Sequence, residues 1–315
     1  MLPALLNQFD TQRGVELERL VCDGGSDDAT PAQAAAAGAS LITSAAGRGR
    51  QMNAGAGAAK HPWLLFLHAD SRLTHPHQLA AGVALLERQS SRRCAGHFRL
   101  RFDDPPSGHG RLFAHMERKS ALNRPFTVNG DQGLLLHRDF FAELGGFDES
   151  LPILEDQRIG RRIAARGEWR LLPHALATSA RRFAQEGAGA RYFVMMLIMC
   201  AEHAGIDQFF DQPVYRRQDR TGRLAVSPSL EVMLNLGEAR PDFWPRMAAY
   251  SLDNAWQLFF ALDGLPGGGR WLTAYERLLE RRLPRRLLVP LLAPLLRALF
   301  HGPVLAYWRR RDQKV

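Results

Sequence analysis

Acidic side chains all but disappear from the end of this chain: between Arg281 and Val315 nine Arg and Lys stand against Asp312 alone, while the whole 315-residue chain carries a formal charge of +9. The basic excess is therefore local. Interleaved with Leu, Trp and Tyr, it suits either an anionic membrane surface or the solvated rim of a packed helix pair, and with no nucleic-acid-binding motif beside it, it does not describe a duplex reader. Cysteine is scarce as well: Cys22, Cys94 and Cys200 are odd in number, far apart and without metal-ligand spacing. That excludes a disulfide framework and predicts thiols kept in a reducing compartment. Long apolar runs are missing too. The two longest, residues 192–201 and 287–296, fall well short of the roughly 20 needed to cross a bilayer as a helix, so no transmembrane segment is expected. Met1 is followed by Leu-Pro-Ala with no basic stretch, and no secretory leader is expected.

What is present is a globular composition, 46% hydrophobic and 23% charged, in a chain too long for one ordinary core. Strands are predicted over residues 17–22, 41–43, 63–68, 95–102, 126–128, 134–137 and 169–172, and helices over 30–38, 51–60, 76–89, 111–120, 139–144 and 155–165. Their alternation predicts an α/β domain with a mostly parallel sheet over residues 1–189. From residue 190 to 315 only helical periodicity remains, with no acidic cluster or nucleophile motif. Pro290, Pro294 and Pro303 are expected to break any long helix in the basic tail.

Polar groups gather at the carboxyl ends of the predicted strands, where open α/β sheets bind ligands. Asp23-Gly24-Gly25-Ser26 offers a carboxylate for a base or ribose beside glycines that permit close approach, or simply an Asp-Gly turn leading to a helix cap. Gly47 to Gly55 sets Arg48 and Arg50 among turn glycines just ahead of a helix, a place for a diphosphate; an RNA-contact loop would have the same composition but lacks aromatic stacking partners. Asp70 follows a buried strand and suits Mg²⁺ or Mn²⁺, which bind through one or two carboxylates plus substrate phosphates; a buried strand ending in a polar turn would look the same. Glu155-Asp156 opens a helix, where acids are favoured by helix electrostatics alone or serve as a general base. Arg181 and Arg182 follow the last strand as a phosphate-binding pair or as surface ion-pair partners.

The order of these segments resembles the family 2 glycosyltransferases, enzymes of the GT-A fold that transfer a sugar from a nucleotide-activated donor with inversion. Val21 to Thr30 follows that family's V-D-x-x-S-x-D-x-T pattern with one change near its middle. Gly47, Asn53 and Gly55 match its G-x-x-x-x-x-N-x-G, and Asp70 takes the place of the last Asp in D-x-D. The strings Gly47 to Gly55, Leu67 to Asp70, Gly130 to Gly133 and Ser179 to Arg182 are similar to those of the branch named for arsenosugar biosynthesis.

That resemblance implies a metal-assisted, inverting glycosyltransferase of hexosyltransferase type. Asp23, Gly24 and Asn53 would hold the nucleotide, Arg48, Arg50 and Arg181 the diphosphate, and Asp70 the Mg²⁺ or Mn²⁺. Asp156 would be the catalytic base, with Asp131, Gln132 and Glu155 toward a hydroxyl acceptor. It implies a Rossmann-like GT-A domain; the helical C-terminal extension has no counterpart in that branch, and its basic segment, with the three thiols, sets the expectation of a cytoplasmic protein peripheral to the inner face of the membrane. Two departures stand out. His68 replaces the first Asp of D-x-D, and the family's opening strand, V-x-I-P-x-x-N-E, has no match before the helix-like Met1 to Leu6. Two rivals are a non-catalytic, membrane-peripheral binding protein on a degenerate domain of this kind and a sugar-phosphate nucleotidyltransferase; the latter predicts an N-terminal Gly-rich basic loop, which the sequence does not show.

Overall fold

The computed structural model describes residues 2–124, 126–150, 152–211 and 222–314. The chain divides into two compact units, Met1–Ala180 and Arg181–Val315, upstream of the boundary drawn from the sequence at residue 189. The helix that opens the second unit belongs there through its own ion pairs: Glu186 is buried between Arg182, at 3.1 Å, and Arg191, at 3.2 Å.

The first unit runs α1 (Leu2–Phe9), β1 (Leu20–Asp23), α2 (Thr30–Ala36), β2 (Ser40–Thr43), α3 (Arg48–Ala58), β3 (Trp63–Phe66), β4 (Arg72–Leu73), α4 (Gln78–Glu87), β5 (Cys94–Asp103), α5 (Gly110–Ser120), β6 (Leu134–His137), α6 (Arg138–Glu143), α7 (Glu155–Arg166) and β7 (Glu168–Ser179). The strand expected at 126–128 does not form. Two sheets result. β1 and β2 pair in parallel, and the other strands form a five-stranded sheet in the order β3-β6-β5-β7-β4. Of its four pairings only β5–β7 is parallel. The sheet is thus mixed, not mostly parallel, because β6 enters antiparallel between β3 and β5. Among the described residues no strand pairing joins the two sheets.

The last strand extends well past the expected end at Leu172. Its register with β5 slips, His97 facing Leu171 and Arg99 facing Ala175, so β7 carries the extra residues of a bulge. Pro173 has no N–H for a ladder and His174 takes φ +67°; the sequence signal for a strand stops there although the strand resumes. His97 is buried while Arg99 and Arg101, on the same face of β5 by alternation, stay exposed, because Trp169 and Asn123 lie against the imidazole.

The large sheet is covered on both sides. Period-two alternation along β6 sends Leu134 and Leu136 to one face, where they pack with Phe140, Ile159 and Ile163, and Leu135 to the other, with Leu79, Leu86 and Leu172. The small sheet is tied to this body by α3 and α1. Gly55 of α3 lies so close to β1 that a Cβ would stand 2.4 Å from Cys22 Sγ, while Met52 and Ala56 of the same helix pack beside Leu64 and Phe66. Phe9 of α1 packs against both the Leu6–Val21–Ala34 cluster and the cluster under β4.

The second unit is helical: α8 (Arg181–Glu186), α9 (Ala188–Ala204), α10 (Ser227–Glu238), α11 (Phe243–Asp253), α12 (Trp256–Asp263), α13 (Trp271–Tyr275), α14 (Arg285–Leu299) and α15 (Leu305–Asp312). A π turn over Phe300–Val304 joins α14 to α15, so Arg285–Asp312 is one continuous helix of 28 residues. This corrects two expectations. The prolines do not break the helix, since the wider turn takes up Pro303, and by length and composition this helix is long and apolar enough to cross a membrane.

One glycine tests the packing of α7 against its neighbours. A methyl at Gly167 would stand 2.2 Å from the Arg93 carbonyl oxygen and 2.7 Å from the Phe140 ring. Gly167→Ala is expected to cost about 1–3 kcal/mol, the range for overpacking, read as a lower urea midpoint at constant m-value. An unchanged midpoint would show that the Arg93 backbone yields freely.

Candidate active site

Leu154 sits at φ +73°, a left-handed conformation that is strained for a branched side chain and is held only where the surroundings demand it. It is the residue before α7, and its turn delivers Glu155 and Asp156 together. Glu155 is buried, 2% exposed, and its Oε2 has no hydrogen-bond partner. Burial first, and then the neighbouring Asp156, push its carboxyl above the ordinary range; Arg48, 3.9 Å away, pulls it back. Asp156 stays partly open to solvent, with Oδ2 accepting the Gly130 N–H at 2.7 Å and Oδ1 the Gln157 N–H at 2.8 Å.

Gly130 is wedged at the centre of this group. A Cβ there would stand 3.2 Å from Asp156 Cβ and 3.3 Å from His68 Nε2, so a side chain at this point would crowd both. Asn129 opens that turn with a capping box to Gln132, and Gln157 donates to Asn129 Oδ1 at 3.1 Å. His68 leaves β3 just before the turn that carries Asp70. Burial and then Arg48 hold its pKa below the usual value, while Asp70 and Asp156 act the other way. Four of the expected residues, Arg48, Asp70, Glu155 and Asp156, therefore meet around His68. Beside them is a cavity of about 30 Å³ lined by His68, Glu155 and Asp156 and walled by Met52, Phe66, Phe147 and Trp169.

Other expected residues prove to be braces. Asn53 gives both amide hydrogens away, to Phe147 O at 2.9 Å and Glu149 Oε1 at 2.8 Å, and accepts the Phe147 N–H at 2.8 Å. It clasps the 147–149 loop to α3 and has no donor left for a nucleotide. Gln132 is fully buried; its Oε1 accepts the Asn129 N–H and its Nε2 donates to Ser120 O, so it shapes the turn from behind and does not face an acceptor. Asp131 is half-buried in the same turn. Asp23 ends β1 as expected, but its carboxylate accepts from the Gly25 and Ser26 N–H groups and the Ser26 hydroxyl, bonds that keep its pKa low. Gly24 packs against Ala46 and Gln51.

Arg48 and Arg50 lie in the first turn of α3 and not ahead of it, since Gly47 at φ +138° is the cap. Arg50 leans toward Glu149 at 4.0 Å. Arg181 opens the second unit, in α8. Among the described residues no group of three or more His, Cys, Asp or Glu is placed to hold a metal. The local donor set, Asp70 with His68 beside it, fits only a cation that brings most of its ligands as water and phosphate. What sequence reading missed is the apolar wall and the centrality of Gly130; the string Gly130 to Gly133 marked the turn, but nothing local says that α7 starts against it.

Residues 1–145 match the model of the family described as Glycosyl transferase family 2. No curated protein matches the chain. Among solved structures it is similar to the mannosyltransferase PcManGT from Pyrobaculum calidifontis in complex with GDP-Man and Mn²⁺, with 19% identity over 95% of this chain and 82% of that one and a TM-score of 0.44. It is also similar to S. aureus TarS 1-349 in complex with UDP, with 16% identity over 99% and 83% and a TM-score of 0.45. A third is glucosyl-3-phosphoglycerate synthase from Mycobacterium tuberculosis, in complex with Mn²⁺, UDP and glucosyl-3-phosphoglycerate, with 17% identity over 64% and 75% and a TM-score of 0.41. The α/β class and the C-terminal helices expected from the sequence are the ones observed.

The buried acid makes a sign-definite prediction. A carboxyl whose pKa is raised on folding binds protons more tightly in the native state, so its ionisation weakens the fold as pH rises from the unfolded value near 4.5 upward. Glu155→Gln is expected to match the parent in stability below that pH and to exceed it at neutral pH, measured by urea unfolding across the range. A neutral-pH loss of stability would show that the Arg48 interaction outweighs burial.

Proposed function

We propose that this chain is an inverting glycosyltransferase that moves a sugar from a nucleotide-sugar donor to a hydroxyl acceptor. The observation that carries the reading is the Asp156 carboxylate: partly open, fixed by two backbone N–H groups, and set within one cluster with Arg48, His68 and Asp70. A carboxylate so held is oriented to take a proton from an acceptor hydroxyl as it attacks. The family match over residues 1–145 supports donor chemistry of this kind.

The rest of the site suits a departing nucleoside diphosphate. The first turn of α3 presents backbone N–H groups without helical partners, and Arg48 adds positive potential that is already felt at His68. Arg50 is the further cation of the first unit for the phosphates. Asp70, with His68 beside it, would hold Mg²⁺ or Mn²⁺; such an ion, when bound, neutralises charge on the leaving diphosphate. Asp23 and Gly24 line the end of β1 for the nucleoside, with Asp23 preordering its loop. Glu155, buried behind Asp156, keeps that wall of the pocket apolar when protonated and positions its neighbour. The matching strings favour the branch named for arsenosugar biosynthesis and a hexose donor, and the three unpaired thiols favour a reducing compartment.

Asp156→Asn is expected to lower transfer by about 10²–10⁴-fold, the usual worth of a positioned base, with binding of nucleoside diphosphate by calorimetry nearly unchanged. Retained turnover would reject Asp156 as the base. Absence of any binding heat with nucleotide-sugar donors and Mn²⁺ in the parent protein would favour a non-catalytic domain instead.

A further inference from the structure

The helix Arg285–Asp312 shows two unlike faces. One is fastened to the second unit along its whole length. Ala293, Phe300, Leu305 and Trp308 are buried. Glu238 of α10 receives Arg297 at 2.7 Å and His301 at 3.0 Å, Glu231 receives Arg309 at 2.7 Å, and Asp312 accepts the N–H groups of Val226 and Ser227 at the start of α10. The other face is an apolar stripe left open: Leu287, Leu291 and Leu295 are 68%, 65% and 66% exposed, followed by Leu299 and Tyr307. Their four-residue spacing keeps them on one side of the helix.

We infer that this stripe rests in the plane of an anionic lipid surface, with the apolar face in the headgroup and acyl boundary. Charge decides the occupant. Among the described residues Arg281, Arg282 and Arg286 before the stripe, and Arg310 after it, form no ion pair, and the only acid of the helix, Asp312, is spent capping α10. A row of apolar side chains flanked by unneutralised guanidiniums complements anionic headgroups over hydrocarbon. The ion pairs of the inward face argue for lying on the surface over crossing it. Crossing would strip Arg297 and His301 from Glu238 and carry both into hydrocarbon. This inference does not depend on the catalytic reading.

Co-sedimentation of the full chain with phosphatidylcholine vesicles, with and without phosphatidylglycerol, tests it. The protein is expected to pellet with the anionic vesicles and to be released by salt, since surface charge attraction is screened. Changing Leu287, Leu291 and Leu295 together to Ser should weaken binding by at least about tenfold, each lost contact being worth a fraction of a buried leucine, without lowering the melting temperature. Arg281→Gln, Arg282→Gln and Arg286→Gln together should abolish the preference for phosphatidylglycerol. Asp156→Asn should pellet like the parent, which separates this outcome from any failure of the catalytic reading. No pelleting of the parent, or equal pelleting of the leucine variant, overturns the proposal. So does a dimer by light scattering that the leucine variant dissociates, which would assign the stripe to a second copy. Resistance to alkaline extraction would assign it to a span.

Discussion

Because β1–β2 and the five-stranded sheet share no ladder among the described residues, the site of the first unit depends on how closely α3 can approach both. Glycine makes the approach at two points. Gly55 lets the helix touch Cys22 on β1, and Gly49 lets it meet the 148–149 backbone, where a Cβ would stand 2.6 Å from Asp148 O. Asn53 locks the second contact through three hydrogen bonds. Gln51 adds a bond to Cys22 O at 2.8 Å. With the helix fixed in this way, its first turn brings Arg48 to Glu155 and His68. A bulkier residue at Gly49 or Gly55 would move the cation away from the acids before it altered any chemistry directly.

The acidic pair then divides by environment. Two adjacent carboxyls at one helix start would share similar electrostatics if both were exposed. Here the strained Leu154 turns Glu155 inward and leaves Asp156 at the mouth. The inner acid is driven toward its neutral form by desolvation, and the outer one is oriented by the Gly130 and Gln157 amides. Neighbouring groups with opposite burial let one short segment carry both an open, oriented carboxylate and a neutral wall that does not repel it.

In the second unit the same economy of contacts appears at a surface. One face of the Arg285–Asp312 helix is consumed by Glu231, Glu238 and the α10 cap. Every strong polar anchor therefore points inward, and the outward face is left to leucine. Neither a simple core helix nor a simple solvated rim has that division.

Much of this was legible in the chain itself. β6, α5 and α7 fall within a residue of where periodicity and glycine stops set them, since those signals are local. The ordered strings around Asp23, Gly47 to Gly55, Asp70 and Asp156 also singled out the residues that the fold places at strand ends and helix starts. Burial and partner choice were not legible. That Asn53 and Gln132 are braces, that Glu155 is buried, and that His97 is covered while Arg99 is not all follow from neighbours 12 or more residues away. The tail prolines likewise read as breaks because their cost is local, while the packing that keeps the helix continuous is not. The sequence determined which groups were present and their local geometry; only the tertiary structure decided which of them were already spoken for, because a hydrogen bond or a buried face has no signature until its partner arrives.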